Sequence, residues 1–110
     1  MPAEAEKRRH RRFLLGLPVR VQANGLAAAI TAELADVSQG GCLLKAPGHA
    51  ISLGARVAFG FVMSEAQIVL ASGQVVRLDG DGGFALDLQE KNDEFRSFLA
   101  GISGLRILAA

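Results

Sequence analysis

Residues 7–13, Lys7-Arg8-Arg9-His10-Arg11-Arg12-Phe13, place five cations and a histidine in seven positions. Through residue 12 the chain carries five Lys/Arg against two Glu, a local charge of +3. The rest has seven Lys/Arg against nine Asp/Glu, or −2, within a total of +1. The positive charge is therefore local, which makes it a candidate anion site rather than a property of the whole surface. A second stretch, Asp36-Val37-Ser38-Gln39-Gly40-Gly41, has the spacing D-x-S-x-x-G. It combines a carboxylate, a hydroxyl and two glycines whose peptide groups can be approached closely. Taken alone it reads as a turn whose polar side chains bond the neighbouring backbone.

Both stretches need a frame, and the remaining residues supply one. At 110 residues, half of them apolar and 21% charged, the chain makes one domain with a single core. "LPVRVQA", 17–23, alternates with Leu17, Val19 and Val21 on one face. Asn24-Gly25 predicts a type I′ hairpin turn into a partner strand over 26–36, although the alanine content there also admits a helix. Strands are expected at 41–46, 55–63, 67–80 and 84–89, with Gly73 as a bulge or bend and "DGDGG" as a tight turn. Short antiparallel strands in sequence point to a small barrel or a sandwich. At the end, Asn92 can cap a helix over about 92–103 that carries Asp93 and Glu94 in its first turn. Phe95, Phe98, Leu99 and Ile102 form its apolar stripe, and Gly101 and Gly104 predict its end.

Other chemistries find little support. The histidines are His10, inside the basic cluster, and His49, in a loop, and no Cys/His grouping has zinc spacing. Ser38, His49 and Asp36 could be assembled on paper as a triad, but no nucleophile-elbow sequence accompanies them. Cys42, the single cysteine, reads as a small buried residue and cannot form an internal disulfide, which fits a reducing compartment. Asp79 and Asp81 read as turn formers. No apolar run reaches the ~20 residues of a membrane span, so a cytoplasmic protein without membrane insertion is expected. The expectation is a binding protein, with no enzymatic activity, metal or cofactor.

Together the two stretches resemble the PilZ domain family, in which an R-x-x-x-R segment precedes the first strand and a D/N-x-S-x-x-G segment sits on the barrel. Arg8 and Arg12 match the first and last arginines of the former, and Arg9 the position beside it. Asp36, Ser38 and Gly41 match the latter, with Gly40 adjacent. Arg11 stands where many relatives have proline, and neither it nor His10 acquires a role. "GQVVRL", "DGDGG", "FALDL" and the terminal helix are similar to the family's second half, so the resemblance covers roughly residues 7–100.

The resemblance implies an all-β fold, a six-stranded antiparallel barrel of PilZ type with a C-terminal helix. It also implies a ligand, the second messenger cyclic diguanylate (cyclic di-GMP), bound by Arg8, Arg9, Arg12, Asp36, Ser38, Gly40 and Gly41. The residue chemistry agrees. A guanidinium forks onto phosphate or the O6/N7 edge of guanine, and a carboxylate can accept from a guanine N–H edge. The expected organisation is a flexible end at 1–6, a basic ligand-binding arm at 7–13, the barrel and helix at 14–104 and a tail at 105–110. The arm would order over the ligand and so signal to a separate downstream protein in motility, exopolysaccharide or biofilm control. Two alternatives remain. One is an adaptor working by protein contact alone. The other is a nucleic-acid binder, disfavoured because the phenylalanines fall on core positions and the chain beyond the arm is net negative.

Overall fold

The computed structural model describes residues 13–109, with side chains described for 14–102. Six strands form a closed antiparallel barrel: β1 (Phe13–Ala23), β2 (Ile30–Val37), β3 (Gly41–Lys45), β4 (Arg56–Ser64), β5 (Gln67–Leu78) and β6 (Gly83–Lys91). One helix, α1 (Asp93–Ala109), follows. The order around the barrel is β1-β2-β3-β6-β5-β4. Two three-stranded meanders are thus joined by the 46–55 segment, and the β3–β6 and β1–β4 ladders close the ring. Of the two sheet architectures left open by the strand pattern, closure selects the barrel, with the β1–β4 seam paired over Arg20–Ala23.

The inward faces carry the expected alternation. Val19, Val21, Leu34, Leu44, Val57, Val69, Val75, Phe84 and Leu86 are buried together, with Cys42 among them. In α1, Phe95 is buried against this core, while Phe98 stacks edge-on against Phe61 at 4.9 Å between ring centres. Asn92 caps the helix as expected: its Oδ1 accepts from the Phe95 N–H at 2.9 Å. The same side chain accepts from the Leu70 N–H and donates to the Ile68 carbonyl, fixing the helix start to β5.

Four expectations need correction. The Asn24-Gly25 turn is not type I′, because Gly25 has φ +94° while no non-glycine residue among those described, Asn24 included, has positive φ. With Leu26 N–H donating to the Ala23 carbonyl at 3.1 Å, it is a type II turn, whose twist does not match paired strands. β2 therefore resumes only at Ile30, opposite Val21, instead of at residue 26, and it is a strand rather than a helix. β1 starts earlier than expected, at Phe13, because a bulge at Leu15-Gly16 carries the ladder past the glycine. Pro18 is tolerated because the β1–β4 pairing begins only at Arg20, so its missing N–H interrupts no ladder there. The bulge expected at Gly73 is present, with Gln89 on β6 as its extra residue. Finally, α1 runs to Ala109 through Gly101 and Gly104. An internal glycine costs only about 1 kcal/mol relative to alanine and keeps its N–H for the helical ladder.

The end at 1–6 and residues 7–12 of the basic arm lie outside the described residues. Among the described residues no helix is long and apolar enough to cross a membrane.

Candidate functional site

The D-x-S-x-x-G segment spans the end of β2, a turn and the start of β3. Of the described residues, the buried polar ones are Asp36 and Ser38, 7% and 6% exposed, both from this segment. Burying a carboxylate is costly unless charge or hydrogen bonds match it, so its occurrence within an otherwise apolar pattern marks this place.

Ser38 is buried because it completes the turn. Its N–H donates to the Gly41 carbonyl at 2.8 Å, and its Oγ accepts from the Gly41 N–H at 3.2 Å. The hydroxyl thus takes a donor that would otherwise be left over in a part-buried place. Gly41 is required for a different reason, close approach: a Cβ there would lie 2.9 Å from the Leu86 carbonyl oxygen on β6. The Gly40 carbonyl accepts from the Leu88 N–H at 2.9 Å, and the Gln39 carbonyl accepts from Lys91 Nζ at 2.8 Å. β6 therefore holds the whole turn from one side.

Asp36 owes its orientation to a bulge. Between Leu34 and Asp36 the β2–β3 register shifts, since Leu34 faces Leu44 but Asp36 faces Leu43. The extra residue, Ala35, breaks the alternation, so Val37 points inward with Cys42 while Asp36 shares the outer face with Leu43. Across the barrel the pairing continues, from Leu14 on β1 through Asp36, Leu43 and Ala85 to Arg77 on β5. Asp36 thus lies within an outward row that crosses five strands.

β1 begins beside this row. Phe13, which follows Arg12 in the chain, is paired with Val37, which precedes Ser38. Leu14 is paired with Asp36 itself. The described part of β1 therefore begins where the second segment turns, one residue after Arg12 in the sequence. Arg8, Arg9 and Arg12 lie outside the described residues, so only Asp36, Ser38, Gly40 and Gly41 of the expected site are placed. Sequence reasoning missed Lys91 and the outward row. Lys91 sits 52 positions from Gln39 with no local pattern to connect them, and the row exists only through register.

The family model for the PilZ domain matches residues 6–101. The chain belongs to the PilZ domain family. Two solved structures share the fold. One is the Bacillus subtilis inhibitor of motility MotI/DgrA, with TM-score 0.75 and 16% identity over 94% of this chain and 53% of that one. This PilZ chain therefore spans about half of that protein's length. The other is the PilZ domain of CeSA from a cellulose-synthesizing bacterium, with TM-score 0.64 and 19% identity over 87% of this chain and 98% of that one. No curated protein matches by sequence. At such identities the two structures speak for the fold alone. The matched span takes in both the basic segment from Lys7 and the Asp36–Gly41 segment.

Proposed function

We propose that this PilZ domain is a receptor for cyclic diguanylate and has no catalytic activity of its own. The observation that carries the reading is the pairing of Phe13 with Val37, which sets the residue that follows the arginine segment in the sequence beside the Asp36–Gly41 turn. Membership of the family supports the ligand class, and the residue types fit it. Arg8 and Arg12 offer forked donors to the two phosphates and to guanine O6/N7, and Arg9 adds charge beside them. Asp36 offers an acceptor to a guanine N–H edge. The narrow Ser38–Gly41 turn lets the ligand approach the barrel.

The output is a change of shape. The ligand would draw the arm onto the outer row beside Asp36 and so remodel the surface that a separate protein reads. One similar structure is named as an inhibitor of motility and the other comes from a cellulose-synthesizing bacterium, and control of motility or of surface polysaccharide is the corresponding role proposed here. A cytoplasmic location follows from the ligand.

Calorimetric titration of the whole chain with cyclic diguanylate, beside GTP and the Arg8→Ala variant, tests this. Guanine-selective binding that the variant loses is the expected result. No heat at micromolar protein would turn the reading toward an adaptor that works by protein contact.

A further inference from the structure

Irregular pairing gathers on one side of the barrel. Five register shifts interrupt the ladders, and three end on residues of the outward row: Leu14/Leu17, Leu34/Asp36 and Val75/Arg77. Bulges re-aim side chains and collect beside binding sites. The first opens the row at β1 and the second turns Asp36 outward. The third lies on β5, at Val75/Arg77.

That third bulge sets two residues of β5, Val76 and Arg77, against Ala85 on β6. Val75 before them is buried, whereas Val76 is 56% exposed and the Arg77 side chain 53% exposed. The bulge thus offers an apolar surface and a guanidinium side by side. Asp79 Oδ1 accepts from Arg77 Nε at 3.1 Å, which orients the group and leaves its terminal nitrogens open. Between Asp36 and Arg77 lie Leu43 and Ala85, a low apolar floor three ladder steps across, or about 14 Å between Cα atoms.

We infer that Arg77 is a specificity-determining residue that reads the O6/N7 edge of a second guanine, the first being read at Asp36. The inference rests on the receptor reading above. A cyclic dinucleotide carries its two bases on different sugars of one ring, and in its extended form a second reading group stands off from the first, as Arg77 does from Asp36 along the row. Arginine is the side chain that forks onto guanine O6 and N7, and adenine presents a donor where guanine has O6. Val76 gives that base an apolar face to lie on.

The test compares cyclic di-GMP with hybrid cyclic GMP–AMP on the whole chain, as wild type, Arg77→Ala and Arg77→Gln, with thermal melts to verify folding. Wild type should prefer cyclic di-GMP by about tenfold. Arg77→Ala should bring the ratio close to one. Arg77→Gln should move it toward the hybrid, because glutamine pairs with adenine N6/N7. Variants that fold and keep the wild-type ratio would overturn the assignment while leaving the receptor intact. A wild type that binds neither compound would overturn the receptor reading, and the role of Arg77 with it.

Discussion

Lys91 Nζ donates a hydrogen bond to the Gln39 carbonyl at 2.8 Å, joining the end of β6 to the tip of the Asp36–Gly41 segment. The next residue, Asn92, caps α1 and bonds β5 through its amide. Two consecutive residues therefore connect the candidate site to the start of the helix. A ligand that moves the turn pulls on Lys91, and the first turn of α1 lies directly behind it.

Lys91→Ala removes this strap without touching the core. It should weaken cyclic diguanylate binding several-fold while changing unfolding free energy by less than about 1 kcal/mol, since the bond is exposed. Titration and urea unfolding measure the two quantities. An unchanged affinity would mean that the turn holds its shape without β6.

Ser38 acts first on the turn. In Ser38→Ala the Gly41 N–H loses its acceptor in a part-buried place, at a cost of about 1–3 kcal/mol of stability. Denaturant unfolding should register that loss even with no ligand present. Equal stability of the variant and wild type would assign the serine to ligand contact alone.

Gly41→Ala addresses close approach instead. The added methyl would sit 2.9 Å from the Leu86 carbonyl oxygen, so β3 and β6 must part. A loss of about 1–3 kcal/mol is expected. Proton exchange of the Cys42–Leu86 ladder should rise with it, and an undisturbed ladder would refute the steric account.

Within the arm, the arginines should matter unequally. Arg8→Ala or Arg12→Ala should weaken binding about tenfold or more, corresponding to ~1.5–3 kcal/mol, and Arg11→Ala much less. Equal small losses across Arg8, Arg9, Arg11 and Arg12, with strong salt dependence, would instead describe a diffuse electrostatic tail.

Much of this was legible in the residues themselves. Alternation at Val19–Val21, Val57–Phe59 and Phe84–Leu86 identifies strands, because a half-buried strand must show period two. Asn92 with Asp93 and Glu94 marks the helix start, since capping is a local interaction. The D-x-S-x-x-G turn is also local, and Ser38 and Gly41 do what their types suggest. The misreadings arose where a neighbouring strand overrides local preference. Asn24-Gly25 takes the type II form where β1 has run past its pairing with β2, which ends at Val21, while Ala23 is still held by Val57 on β4.

From the sequence alone came the family, the strands, the helix cap and the two segments, all of which depend on contacts within a few residues or on periodic burial. Only the tertiary structure decided that Asp36 faces outward, that Phe13 meets Val37, and that Arg77 closes the same row. Those facts follow from register and bulges, and register is a property of pairs of strands. A single inserted residue such as Ala35 sends a side chain to the opposite face, and nothing in the local pattern of β2 announces it.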